Sequence, residues 1–161
     1  MFDAATMALA AEVLAACRSK GWRVATAESC TGGLVAAALT AIADSSDVVD
    51  RGFVAYSNEA KTALLGVPEG TLASAGGVSA ETARLMAMGA VSRAGVDLAV
   101  SVTGIAGPGG GSVEKPVGLV CLGVATKDSV RSERHLFPGD RAAIRRAAMI
   151  RALDMLKEAA G

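Results

Sequence analysis

The chain has 161 residues, 52% of them apolar and 3% aromatic, with 16 basic and 16 acidic side chains and no net charge. That length supports one domain over residues 1–161, with a core of Ala, Val, Leu and Gly. The charge balance excludes a nucleic-acid footprint, the apolar runs are too short to span a bilayer, and the N-terminus carries no signal-peptide pattern, so neither nucleic acid nor membrane is an expected partner and a cytoplasmic location is expected.

Residues 3–19 place Met7, Ala10, Val13, Leu14 and Cys17 at helical spacing, with Asp3 as N-cap and Gly21 as stop signal. Trp22–Thr26 reads as a strand, Ala27–Gly33 as a turn and Leu34–Ile42 as a helix, closed by the polar run Asp44–Asp47. Gly52–Ser57 reads as a second strand, and Asn58–Leu65 as a short helix stopped by Gly66 and Pro68. Residues 66–77 read as a Gly/Pro-rich loop, and Ser79 opens a helix that Gly95 ends. Asp97–Thr103 is a third strand of nearly continuous apolar character, as befits a strand covered on both faces. It runs into the glycine-rich loop Gly104–Ser112. Val117–Ala125 and Val130–Phe137 form a hairpin, the second of them an edge strand, and a last helix starts at Gly139-Asp140-Arg141.

The early alternation of strand and helix implies parallel crossovers, and the late hairpin implies one antiparallel strand. The expected fold is a three-layer α/β/α sandwich around a mixed, mostly parallel five-stranded sheet. Ligands bind such sheets beyond the carboxyl ends of the parallel strands. Three polar turns fall there: Ser29–Gly33, Tyr56–Lys61 and Thr103–Ser112.

The chemistry narrows by exclusion. The single histidine, His135, sits in the expected edge strand, which argues against a Ser-His-Asp triad. Cys17, Cys30 and Cys121 are odd in number and widely spaced, so neither a disulfide framework nor a metal cluster is expected. The glycine loop lacks the Lys-Ser/Thr ending of a P-loop, and no dinucleotide fingerprint follows the first strand. A serine with a lysine base remains: Ser29 as nucleophile, Lys61 as base, Tyr56 as proton relay, and amides near Gly32 and Gly33 for an oxyanion, a set suited to acyl transfer from an amide or ester. The same turn also reads as a plain helix N-terminus capped by Ser29 or Thr31. Cys30 is a rival nucleophile, because a thiolate at a helix N-terminus is chemically attractive.

Five blocks together carry a resemblance: Ala27–Gly33, Tyr56-Ser57-Asn58 with Lys61, Val102–Pro108, Glu114–Gly118, and Gly139-Asp140-Arg141 with Ile144-Arg145. In order and over almost the whole chain they resemble the CinA C-terminal domain family, whose enzymatic members are nicotinamide mononucleotide deamidases of the PncC type. The resemblance implies hydrolysis of the nicotinamide carboxamide to nicotinic acid mononucleotide and ammonia, in pyridine nucleotide salvage. It also implies a small-molecule nucleotide substrate, no metal or other cofactor, a homo-oligomer, and the stand-alone form without the molybdopterin-binding-like domain of longer members. Residue by residue, it places the motif serine on Ser29, the tyrosine on Tyr56, the lysine on Lys61 and the strand-end threonine, an oxyanion donor, on Thr103. Cys30, Thr31, Gly32, Gly33, Asn58, Gly104 and Gly107 fall at substrate-contacting positions, and either Arg141 or Arg145 holds the phosphate. The rival readings are a non-catalytic nucleotide-binding or competence-associated module and a structural assembly protein.

Overall fold

Odd and even positions of the central strands face different layers. Val24, Leu98, Val100 and Val102 join the larger core cluster, while Ala25, Ala27 and Ala99 join the smaller one. In the computed structural model, which describes residues 1–161, the elements are α1 (Ala4–Lys20), β1 (Val24–Glu28), α2 (Leu34–Thr40), β2 (Val49–Val54), α3 (Asn58–Leu65), α4 (Glu69–Ser74), α5 (Ala80–Ala94), β3 (Leu98–Gly104), β4 (Leu119–Thr126), β5 (Val130–Leu136) and α6 (Arg141–Ala160). Helices α1, α2 and α6 cover one face of the sheet, and α3, α4 and α5 the other.

The face under α5 is built from small residues, which lets that helix come close. The Ser101 hydroxyl donates to the Ala83 carbonyl of α5, and a Cβ added at Gly123 would run into the same carbonyl. The opposite face carries the bulk, with Leu14, Leu98, Ile144, Leu153, Met155 and Leu156 almost fully buried. Each such side chain contributes about 1.5–3 kcal/mol by leaving water.

The sheet order is β2-β1-β3-β4-β5. β1 lies parallel to β2 and β3, and β4 pairs antiparallel with β3 and β5. β4 alone therefore runs against the other strands, and the mixed, mostly parallel sandwich read from the sequence is the observed architecture. Asp3, Ser79 and Asp140 cap α1, α5 and α6 through their side chains.

Three expectations are corrected. β1 and β2 are shifted from their expected spans: Ala27 and Glu28 are strand residues, and β2 starts at Val49. Ser57 is not strand but the N-cap of α3, its hydroxyl accepting from the Ala60 amide. The segment expected as loop over 66–77 contains α4, which Pro68 opens with φ −61° and Glu69 follows in the first turn. No helix is long and apolar enough to cross a membrane.

Candidate active site

The carboxyl ends of the three adjacent parallel strands meet at one cleft of about 510 Å³. Ser29 is the first residue past β1, and its amide donates to the Val102 carbonyl, extending the pairing with β3 by one step. Tyr56 follows β2 by two residues, and Lys61 lies one turn into α3. Because β1 and β2 are neighbours, their following turns are neighbours too, and this brings Ser29 and Lys61 together from 32 residues apart.

The Lys61 amine lies 3.3 Å from Ser29 Oγ. Both groups also meet the Tyr56 carbonyl, which accepts from Ser29 Oγ and from Lys61 Nζ at 3.4 Å each. Lys61 is 3% exposed and Ser29 7% exposed. Lys61 has no carboxylate partner. Burial disfavours its charged form and lowers its pKa, against a weaker opposing pull from Cys30 and Glu59. A lysine of this kind reaches the neutral form far more easily than one in water. With the amine neutral, the Ser29 hydroxyl can donate to Nζ along the same contact. Cys30 moves the other way: burial pushes its thiol up to about 11, which keeps it protonated at neutral pH.

The turn that mounts Ser29 is closed by a residue outside the sequence-derived site. Glu28 is fully buried and points beneath α2. Its carboxylate accepts from the amides of Val35 and Ala36 and from the Thr26 hydroxyl. The positive end of α2 is thus satisfied from inside, and the Gly32 amide is turned to the Ser29 carbonyl. Gly33, at φ +105°, makes the bend that only glycine takes easily. Thr31, Gly32 and Gly33 do not line the cleft, so the free amides expected near Gly32 and Gly33 are not presented to it. Neither Ser29 nor Thr31 caps α2.

The remaining expected residues divide. Cys30, Asn58, Thr103, Gly104 and Gly107 line the cleft with Ser29 and Lys61. Thr103 spends its proton on the Gly77 carbonyl at 2.6 Å, so it ties the end of β3 to the 76–77 strip instead of offering that proton to an oxyanion. The Tyr56 side chain is 59% exposed, and its phenol oxygen accepts from Arg141, which also donates to the Gly107 carbonyl. Tyr56 therefore reaches Ser29 and Lys61 through its main chain. Arg145 donates to the carbonyls of Cys30 and Thr31 and holds the Ser29 turn from behind. Of the two arginines, Arg141 is the one that lines the cleft. His135 pairs with Glu133 on β5 and stacks on Phe137.

Sequence reasoning missed one wall. Gly76, Gly77 and Val78 face the cleft, as does Lys115, whose amine crosses to the Ala75 carbonyl at 2.6 Å. Lys115 lies in the Glu114–Gly118 block, but its contact joins residues 40 positions apart and has no local signature. The cleft's lining includes Lys61, Lys115 and Arg141 and no Asp or Glu.

Fold and site together define an α/β/α protein with a serine–lysine cleft at the carboxyl ends of its parallel strands. The CinA C-terminal domain model matches residues 6–160. The chain belongs to the CinA C-terminal domain family. It is 55% identical over 143 residues to the nicotinamide-nucleotide amidohydrolase PncC of Enterobacter agglomerans, an alignment that covers 88% of this chain and 87% of that protein. It is also 55% identical over 139 residues to a putative competence-damage inducible protein of Caldicellulosiruptor bescii, covering 86% of this chain and 34% of that protein. The chain thus spans about a third of the length of that relative and of several CinA-like proteins. Among solved structures, the competence/damage inducible protein CihA from Agrobacterium tumefaciens superposes with a TM-score of 0.94 at 49% identity, covering 97% of this chain and 96% of that one.

Proposed function

We propose that the chain is an amidohydrolase that converts nicotinamide mononucleotide and water to nicotinic acid mononucleotide and ammonia, with Ser29 as nucleophile and Lys61 as base. The contact of the buried Lys61 amine with Ser29 Oγ at 3.3 Å carries this reading. A relative named nicotinamide-nucleotide amidohydrolase, matched over most of its length, supports it.

In this mechanism neutral Lys61 takes the Ser29 proton as Oγ forms a bond to the carboxamide carbon. The ammonium so formed stands beside the negative charge that develops on the carbonyl oxygen. Lys61 then returns the proton to the leaving nitrogen, the C–N bond breaks, and ammonia departs. A water molecule next gives its proton to Lys61 and attacks the acyl-serine ester. Cleavage of that ester bond, with the proton passed back to Oγ, releases the carboxylate product.

The test is incubation of the purified protein with nicotinamide mononucleotide while ammonia and nicotinic acid mononucleotide are both measured. Equal amounts of the two products are expected. Ser29→Ala is expected to cut kcat by at least about 1,000-fold with an unchanged thermal midpoint. Full turnover by Ser29→Ala would remove the serine from the reaction, and binding without ammonia release would favour a nucleotide-binding module.

A further inference from the structure

We propose that Lys115 is a strap: its amine ties together two lightly held walls of the cleft, residues 68–75 and 108–114, and its release sets how readily the cleft opens to ligand. The turnover measurement below rests on the amidohydrolase reading; the strap itself does not.

The first wall is the α4 segment, which is pinned at both ends. Val67 is buried in the smaller core cluster, and its carbonyl accepts from the Thr62 hydroxyl at 2.7 Å. At the other end the Gly76 and Gly77 carbonyls accept from the Thr82 and Thr103 hydroxyls. Gly66 at φ +69° and Gly76 at φ +84° stand at these two ends, where the backbone can absorb a change of direction. Between the pins little holds. α4 has no fully buried residue, and of residues 68–75 only Leu72 packs against the core cluster. Glu69 forms no ion pair. The hydrogen bonds of residues 68–75 stay within the segment or pass to Gly76, with one exception: the Lys115 amine donates to the Ala75 carbonyl at 2.6 Å.

The second wall is the glycine-rich loop. Residues 108–114 are all exposed, and the Val113 side chain has no cover at all. Their hydrogen bonds lead only to Lys115: the Ser112 amide donates to the Lys115 carbonyl, and the Ser112 hydroxyl accepts from the Lys115 backbone amide. Gly109, Gly110 and Ser112 line the cleft, as do Gly76 and Gly77 at the end of the first wall.

The two walls thus meet at one side chain. The Lys115 amine makes no other hydrogen bond and no ion pair. It lies close over Gly76, where an added Cβ would approach Nζ to 2.8 Å. A charged donor makes this a stronger bond than a neutral one. Even so, one bond between two segments with little buried surface breaks far more often than the fold unfolds. Breaking it lets residues 68–75 swing on their two pinned ends and residues 108–114 move apart from them. Ser29 and Lys61 are buried on other elements and keep their contact. The strap therefore governs access to the cleft without disturbing the reacting pair.

The decisive variant is Lys115→Met, which keeps an unbranched stem and removes the donor. Hydrogen exchange read by mass spectrometry on the whole chain, without ligand, tests it directly. The amides of Leu72, Ala75 and Gly76, which close α4, are expected to exchange at least about 10-fold faster in Lys115→Met, while those of α1, β3 and α6 keep their native rates. Lys115→Arg, which retains a donor, is expected to restore the native rate at α4. In turnover, Lys115→Met is expected to raise KM for nicotinamide mononucleotide about 5- to 20-fold while kcat stays within about 3-fold of native, because bound ligand escapes sooner and the reacting pair is intact. Unchanged ligand-free exchange at α4 would overturn the strap, and a raised KM would then belong to a direct contact with ligand. Faster exchange spread equally through α1, β3 and α6 would overturn it too, since Lys115 would then be a general support. A fall in kcat with KM unchanged would overturn its control of access. Faster exchange confined to α4, in a native protein that releases no ammonia, would keep the strap and discard the amidohydrolase.

Discussion

Two neighbouring turns are built on one plan and put to opposite uses. β1–α2 and β2–α3 are both strand, turn and helix, and they lie side by side at the carboxyl edge of the sheet. In the first, the positive end of α2 is met by the buried Glu28 carboxylate, and Arg145 takes up the Cys30 and Thr31 carbonyls of the turn. In the second, Ser57 caps α3 and Lys61 is buried one turn on, with no carboxylate to meet it. The difference teaches where to look for chemistry. A buried charge that is compensated holds structure in place, and a buried charge left uncompensated has its proton equilibrium shifted and becomes useful. Ser29 is mounted by the first kind of turn and touched by the Lys61 amine of the second.

The largest effect that tests this contrast comes from Lys61→Met. Turnover is expected to fall by at least about 1,000-fold, because in the proposed mechanism the serine loses its base. The thermal midpoint is expected to rise, since an apolar side chain of similar length fills the same space without the cost of burying an amine. Native kcat/KM should climb as pH rises through the lowered pKa of Lys61, since only the neutral amine accepts the proton. Stability runs in the same direction. Between the lowered folded pKa and the ordinary unfolded one, the unfolded state binds more protons, so the native protein gains stability relative to Lys61→Met as pH rises. A pH-rate profile and a series of melts at stepped pH check both. A fall in midpoint on Lys61→Met would show that the lysine is structural and erase the contrast.

Glu28→Ala probes the other turn and should do the opposite. It leaves the Val35 and Ala36 amides and the Thr26 hydroxyl buried without their acceptor. A loss of about 3 kcal/mol is expected, and for a chain of this size a midpoint lowered by about 6–12 °C. Some activity goes too, since Ser29 adjoins the released residue, but calorimetric unfolding reads the larger change. A midpoint within about 1 °C of native would mean that water replaces the carboxylate and that Glu28 locks nothing.

Much of this arrangement is legible in the sequence because its signals are local. Asp3 and Gly21 bracket α1, apolar runs mark the strands, and polar residues gather where β1, β2 and β3 end. What escapes is set by partners far along the chain. Gly32 and Gly33 suggest free amides, yet the acid that closes this helix end precedes the turn and reaches Val35 across 7 residues. Lys115 reads as a loop residue until the fold brings it to Ala75. α4 holds a glycine, spans six residues and is supported by its contact with α5, so its own propensity is too weak to announce it. Tyr56 is legible as a site residue by position, but which of its atoms faces Ser29 is settled only by the course of the backbone.

The smallest effect is expected at the residue next to the serine. Cys30 lines the cleft, and a nucleophilic thiol beside Ser29 is the obvious rival on paper. Its surroundings oppose that role. Burial raises its pKa to about 11, and Lys61 and Arg145 nearby draw it down too weakly to offset this. At pH 7 the thiolate fraction is then about 1 in 10,000. The sulfur instead packs against the end of β3, where Gly104 has no side chain: a Cβ there would approach Sγ to 3.1 Å. Cys30→Ala removes the thiol and leaves the main chain that Arg145 grips, so kcat should stay within about 3-fold of native and stability should drop by about 1 kcal/mol for the lost packing. Steady-state kinetics and one thermal melt on the same sample decide it. A loss approaching that of Ser29→Ala would move the nucleophile to sulfur, and the division of labour between the two turns would have to be redrawn around Cys30.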